Sequence, residues 1–279
     1  MKSFRQLVYP YMIWIGLFIV VPMLLIVLYA FVQPGNSVTT IKFTLDNFLQ
    51  FFNEDFIRVL LRSFAMALVT TILCLLIGYP TALAITKLKP SIQPLIILIV
   101  TAPQWVNMLI RTYAWIGILN DKGLLNQLLN VFNLPPIYIM NTNIAVVIGM
   151  VYNFLPFMIL PIYTVLAKMD ESLIEASHDL GANPIETFRR VIFPLSLPGV
   201  VSGITLVFLP SISTFFIPKL LGGGKSLLIG NLIEEKFITS GDWNFGSAIS
   251  LILAALVLLS IFLARKVDPD KDNSEKGIL

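Results

Sequence analysis

The side chains best placed for chemistry stand in one short polar stretch, Glu175-Ala176-Ser177-His178-Asp179-Leu180-Gly181, followed at a fixed distance by Val191-Ile192-Phe193-Pro194. Acids on a short helix, a glycine break and a second helix start suit gripping a partner better than catalysis. His178 is the chain's one histidine and Cys74 its one cysteine, so no zinc-binding histidine pair, cysteine-cluster metal site or intramolecular disulfide can be built. Gly222-Gly223-Gly224-Lys225-Ser226 invites reading as a phosphate-cradling loop, but the position five residues before Gly224 is Lys219, not glycine, and no buried strand precedes it. A flexible turn is the expectation there. With no catalytic constellation and no nucleotide site, the chain is expected to bind its partners without turning over a substrate, and to hold no cofactor of its own.

The local signals around the polar stretch position it. Asp170 suits a helix N-cap, with Glu171 and Ser172 in the first turn. Leu173, Ala176, Ser177 and Leu180 recur at helical spacing, with Glu171, Glu175 and Asp179 elsewhere on the helix. Gly181 ends it in a left-handed conformation. Asn183-Pro184-Ile185-Glu186 then reads as N-cap, proline at the first helical position and an acid at the third. Arg189 and Arg190 are expected to close this second helix, before Pro194 and Pro198 lead into an apolar run. Two short helices joined at a glycine make a rigid knob. The alternative, a hairpin resting on lipid headgroups, is disfavoured because anionic lipid attracts basic faces, not Glu171, Glu175 and Asp179.

What surrounds the knob is membrane. The 279 residues are 57% hydrophobic and 13% charged, against about half and about a quarter in soluble domains. A net charge of +3, with no basic face, gives nucleic-acid binding no support. Six stretches are long and apolar enough to span a bilayer: 8–32, 63–86, 92–112, 143–167, 197–219 and 246–264. The first is too long for the roughly 7–15-residue core of a signal peptide and reads as a retained span. Lys2 and Arg5, Lys87 and Lys89, and Arg265 and Lys266 place both termini and the loop after the second span in the cytoplasm. Residues 168–196 then face the cytoplasm, and 33–62, 113–142 and 220–245 the outside. Phe48, Phe51, Phe52 and Phe56 fall near helical spacing and predict a helix on the outer membrane surface. Residues 1–267 read as one transmembrane domain and 268–279 as a polar tail.

Helix breakers stand at membrane depth: Gly78 and Pro80, Pro103, Pro156 and Pro161, Pro210. A carbonyl freed by proline must face protein or a watery cavity. Beside the breaks lie Thr81, Gln104, Trp105, Asn107, Asn153, Ser211, Ser213 and Thr214, as a translocation path requires. Hydrogen bonds between helices are the alternative role for any one of them. Arg62 and Arg111, near the outer boundary, would suit an anionic cargo, but snorkelling is the favoured reading for both.

The polar stretch resembles the cytoplasmic loop signature of binding-protein-dependent ABC importer permeases: Glu-Ala-Ala, three residues, Gly, nine residues, Ile-x-Leu-Pro. Glu175, Ala176, Gly181 and Pro194 fit; Ser177 replaces the second Ala, Val191 the Ile and Phe193 the Leu. The resemblance implies an all-α fold of six transmembrane helices with type I importer permease (MetI-like) architecture. It also implies that Glu175, Ala176, Ser177, Gly181 and Pro194 couple the chain to a separate ATPase. Thr44-Leu45-Asp46-Asn47, Gly78-Tyr79-Pro80, Trp105-Val106-Asn107, Leu155-Pro156-Phe157-Met158, Leu228-Ile229-Gly230-Asn231 and Asp242-Trp243-Asn244-Phe245-Gly246 are similar to segments of the B-component permease of spermidine/putrescine importers.

That resemblance implies four kinds of partner: a second, homologous permease, an ATPase dimer that uses ATP and Mg, an extracytoplasmic polyamine-binding protein, and the lipid bilayer. The spans as drawn hold no mid-membrane acid, so a polycation is expected to meet aromatic faces and neutral oxygens: Trp105, Asn107, Tyr113, Tyr152, Asn153, Ser211 and Phe215. Rival readings keep the architecture for sulfate, molybdate or ferric iron, or make the chain a secondary transporter; the latter calls for inverted repeats and a mid-membrane ion-coupling charge, and neither is visible.

Overall fold

Helices make up nearly all the regular structure of the computed structural model, which describes residues 2–33, 35, 42–224 and 226–267, the side chains of 2–8 and 263–267 apart. The expected tail 268–279, Lys225, and the side chains of Lys2, Arg5, Arg265 and Lys266 lie outside the described residues. The helices are α1 (Lys2–Ile15), α2 (Val21–Phe31), α3 (Asp46–Leu49), α4 (Glu54–Thr86), α5 (Gln93–Thr101), α6 (Met108–Leu119), α7 (Leu124–Val131), α8 (Asn143–Leu166), α9 (Glu171–Asp179), α10 (Pro184–Thr187), α11 (Phe193–Ser213), α12 (Phe216–Leu221), α13 (Ile229–Glu234) and α14 (Trp243–Val267).

Among the described residues, five helical stretches are long and apolar enough to cross a membrane: Tyr9–Phe31, Glu54–Thr86, Asn143–Leu166, Pro184–Ser213 and Trp243–Phe262. The chain is an integral membrane protein. The expected straight span 92–112 is instead a pair, Gln93–Trp105 and Met108–Val131, bent by 94°. Pro103 lies in a tight 3-10 turn, Ala102–Trp105; Val106 is extended, and Asn107 starts a new helix by accepting the Leu109 N–H at 2.8 Å. The count is therefore five, or six with the bent pair as one span. The fifth span also departs from expectation. It starts at Pro184, because the helix does not close at Arg190 but runs on through a π-helical turn, Phe188–Ile192. It stops at Ser213, where Thr214 turns extended, well short of residue 219. The expected surface helix over Phe48–Phe56 is only α3 and a 3-10 turn, Gln50–Phe52; Phe56 already belongs to α4.

By compactness the chain divides into two units, residues 1–61 with 229–258, and residues 62–228 with 259–279. In the first unit, the carbonyls at the end of α2 are capped from afar. Asn47 Nδ2 donates to Ala30 and Val32, and Asn244 Nδ2 to Tyr29 and Val32, at 2.7–3.0 Å. Helix ends leave such carbonyls without partners, and lipid supplies none. Phe56 packs edge-on against Phe245 at 4.8 Å between centroids.

The second unit is built around α8, whose Met150, Met158, Ile159 and Ile162 are fully buried. Gly199 and Gly203, four apart on α11, let α11 approach closely: a Cβ on Gly199 would stand 2.9 Å from the Pro161 carbonyl oxygen, and one on Gly203 2.7 Å from Met158 Sδ. Small residues at this spacing replace the hydrophobic drive that lipid removes. Gly78 of α4 meets Met158 from another side, with 2.9 Å left for a Cβ.

Candidate functional site

Residues 168–196 form two short helices joined at Gly181, and the caps and the glycine stop that the sequence predicts each have a bond behind them; the closure expected at Arg189 and Arg190 does not occur. Asp170 accepts the Ser172 N–H at 2.9 Å, which holds its carboxyl below the usual carboxylate range. α9 ends with Ala182 N–H donating to the Ser177 carbonyl and Gly181 N–H to the His178 carbonyl, while Gly181 takes φ +82°. This is the Schellman closure, which needs a left-handed residue at that position. Asn183 and Glu186 exchange the reciprocal bonds of a capping box: Asn183 Oδ1 accepts the Glu186 N–H at 3.0 Å, and Glu186 Oε2 accepts the Asn183 N–H at 3.1 Å.

Ser177, where the family signature has alanine, joins the two helices. Its Oγ donates to the Ile174 carbonyl at 2.8 Å and so accepts from the Thr187 hydroxyl at 2.8 Å, both residues being buried. The knob thus turns Ile174 and Ser177 inward. Of the expected stripe, Leu173, Ala176 and Leu180 face outward, Leu180 at 88% exposure, and Ile185 beside them is 77% exposed. Glu171, Glu175, Asp179, Arg189 and Arg190 are exposed around this apolar tip. Two bare aliphatic side chains within a charged rim are the make-up of a protein docking point. His178 is exposed as well, with Nδ1 3.3 Å from the Ala182 carbonyl, to which the Nδ1–H tautomer donates. Pro194 stands exposed just after the π-helical turn, where its missing N–H leaves one carbonyl of the preceding turn without a backbone donor.

The residues expected along a path are dispersed. Trp105, 79% exposed, ends the 3-10 turn at the bend, Asn107 caps α6, and Tyr113 is exposed on α6. Tyr152 meets Trp115 edge-on at 5.4 Å, and Phe215 stacks on Phe216 at 4.1 Å. Asn153 and Ser211 are buried and donate to carbonyls of their own helices, Gly149 at 2.8 Å and Val207 at 2.6 Å. Thr81 does the same with Ile77.

Sequence reasoning misplaced Arg111. Its Nε and Nη1 are sealed from solvent without a hydrogen-bond partner, whereas a snorkelling arginine keeps its head in water. Gln104 Nε2, Asn153 Oδ1 and Thr214 Oγ1 are unpartnered in the same way. The one available signal for Arg111 was its place four residues after the capping Asn107, inside the first turn of a helix and not at its lipid-facing end.

Comparison with known proteins bears on the family and the fold. The profile of the family described as binding-protein-dependent transport system inner membrane component matches residues 1–273. The spermidine/putrescine transport system permease protein PotB of Haemophilus influenzae is 43% identical over 253 residues, 90% of this chain and 88% of that protein. Among solved structures, a bacterial ABC transporter involved in import of the acidic polysaccharide alginate superposes with a TM-score of 0.77 at 17% identity, covering 96% of both chains. The MetNI methionine ABC transporter in an inward-facing conformation gives 0.54 at 18% identity, over 76% of this chain and 93% of that one. At such identities these structures are evidence for the fold alone.

Proposed function

The chain belongs to the family of binding-protein-dependent transport system inner membrane components, and from that premise we propose that it is the permease subunit of an ATP-driven ABC importer for spermidine and putrescine. The observation that carries the cargo is the 43% identity to the PotB permease along nine-tenths of the chain. The permease itself hydrolyses nothing; ATP is spent by a partner subunit.

Within this reading, residues 1–267 form the permease domain, with the bent pair Gln93–Trp105 and Met108–Val131 serving as the third of six spans. Both termini and the knob lie in the cytoplasm of a bacterial cell, and the knob meets one subunit of an ATPase dimer. Leu180 and Ile185 enter the ATPase surface, Glu175 and Asp179 hold its rim, and Gly181 fixes the angle between the helices. Burial of those two exposed aliphatic side chains supplies contact energy, roughly 1.5–3 kcal/mol each when complete. Closure of the ATPase pair on ATP displaces the knob, and α11 moves with it, because the helix is unbroken from Pro184 to Ser213.

A second, homologous permease completes the translocation path, and an extracytoplasmic polyamine-binding protein delivers the cargo. A polyamine offers only donors and positive charge, so it is met by aromatic faces and neutral oxygens from Trp105, Asn107, Tyr113, Tyr152, Asn153, Ser211 and Phe215. Trp105 and Tyr113 present exposed rings for cation–π contact in this conformation; Asn153 and Ser211 contribute once α8 and α11 part.

The test is uptake of labelled spermidine and putrescine into liposomes holding this chain with its partner permease and ATPase, with the binding protein outside. Uptake that needs both ATP and the binding protein supports the reading. Hydrolysis stimulated by the binding protein without polyamine movement would keep the importer and discard the cargo. Uptake without ATP would overturn the importer.

A further inference from the structure

Within the knob, α9 packs against α10 and the π-helical turn, so a displacement of α9 enters the membrane part through Phe188–Ile192. What receives it is Tyr79 of α4. This residue is 7% exposed and 117 positions from its partner. Its hydroxyl donates to Ser196 Oγ at 2.7 Å, and Ser196 in turn donates to the Phe193 carbonyl at 2.8 Å. The ring stands edge-on to Phe188, with centroids 5.7 Å apart and planes at 89°, and tilted against Phe193 at 5.9 Å. Phe188 opens the π turn, Phe193 follows it, and Ser196 lies one residue short of a further turn on. Thr187, bonded to Ser177 of the knob, immediately precedes Phe188. A single side chain of α4 therefore grips the π turn on both flanks, directly behind the point where the knob is tied.

Three features make this grip suited to passing on movement. The helix is continuous through the π turn, from Pro184 to Ser213, so movement at Phe188 reaches Phe193 and Ser196. On the α4 side, Pro80 follows Tyr79, and its missing N–H leaves one backbone bond of that turn unmade. The aromatic pairs are directional, because edge-on contacts weaken when the rings turn. Resting on the importer reading above, we propose that Tyr79 is a positioning residue for energy coupling: its hydroxyl bond to Ser196 carries displacement of the knob from α11 into α4, with the ring held in place by Phe188 and Phe193, so that α4 and α11 move together when ATP is spent.

The test uses the whole transporter in liposomes, with Tyr79→Phe, Ser196→Ala and the double variant. Each single change removes the hydroxyl link and keeps the ring or the helix. The readout is spermidine moved per ATP hydrolysed, alongside ATPase activity and retention of the ATPase subunit. Both single variants are expected to keep the ATPase bound and hydrolysing, and to lose about three- to ten-fold in spermidine per ATP, as for one buried hydrogen bond of roughly 1 kcal/mol. The double variant is expected to lose no more than either single one, because all three remove the same link. An unchanged ratio in Tyr79→Phe, or uptake and hydrolysis falling together at a constant ratio, would overturn the proposal while leaving the importer reading in place. Failure of the unaltered transporter to move spermidine with ATP would instead remove the importer reading and this inference with it.

Discussion

Gly181 offers the cleanest perturbation of the knob, because shape and space separate there. Its φ of +82° lies in the left-handed region, yet no atom stands within 4 Å of a Cβ added to it. Replacement by alanine therefore meets no clash, and its whole cost is the backbone preference of an L-residue, about 1–2 kcal/mol. That energy falls on the Schellman closure, so the open form gains about 5- to 30-fold in population. Asparagine tolerates the left-handed region and costs less, whereas the branched valine costs more.

The expected order of disturbance is thus Asn, Ala, Val. Two measurements read it: hydrogen exchange at the Ala182 amide, which donates across the closure, and the affinity of the solubilised permease for its ATPase. Exchange at Ala182 should quicken about 5- to 30-fold in Gly181→Ala, and ATPase affinity should fall in the same order as exchange rises. The reasoning is refuted if Gly181→Asn is as harmful as Gly181→Ala. It fails equally if affinity falls while exchange at Ala182 stays at its original rate, since the added methyl and not the turn would then be responsible.

Three further outcomes follow from the packing and the caps. Gly203→Leu forces atoms into the 2.7 Å left before Met158 Sδ and should destabilise the α8–α11 contact by about 1–3 kcal/mol, seen as a lower unfolding temperature in detergent. Ser177→Ala removes the tie to Thr187 and leaves a buried hydroxyl unpaired, costing about 1 kcal/mol; Ser177→Ala with Thr187→Val should recover part of it in a thermal-shift double-mutant cycle. The Asp170 carboxyl sits below its ordinary value of 3.8, so its cap is in place throughout neutral and mildly acidic solution and is lost as pH falls through the lowered value. Amide exchange at Ser172, corrected for intrinsic pH dependence, should therefore stay flat down to about pH 4 and rise below it, whereas Asp170→Asn should show no such step.

The parts of this molecule that were legible in its sequence are those decided within a few residues. Asp170, Gly181 and the Asn183–Glu186 box act on backbone groups two to five positions away, and the structure realises all of them. The fifth span was misread at both ends for the opposite reason. Arg189 and Arg190 look like a helix end, but the helix is carried past them by a π turn gripped by Tyr79, more than a hundred residues earlier. The 94° bend lay in plain view as Pro103 and Asn107, yet hydropathy counts apolar residues without asking which way the chain runs. Arg111 escaped because side-chain burial is set by which helices surround the bend. In the sequence Ser177 stands only as a replacement for alanine in the loop signature, and the fold reveals the hydroxyl it serves.

The capping of α2 has a consequence for the order in which the protein is made. The ribosome releases the chain from its N-terminus, so α2 is among the first segments to reach the bilayer. Asn47 follows 15 to 17 residues later and covers the Ala30 and Val32 carbonyls almost at once. A second bond at the Tyr29 carbonyl, which already accepts the Val32 N–H at 3.4 Å, and a second bond at Val32 wait for Asn244, more than 200 residues downstream. Until then the end of α2 is held by the Val32 N–H and Asn47 alone. Arrival of Asn244 completes the cap, so a substitution there would leave an early helix end held by local bonds only.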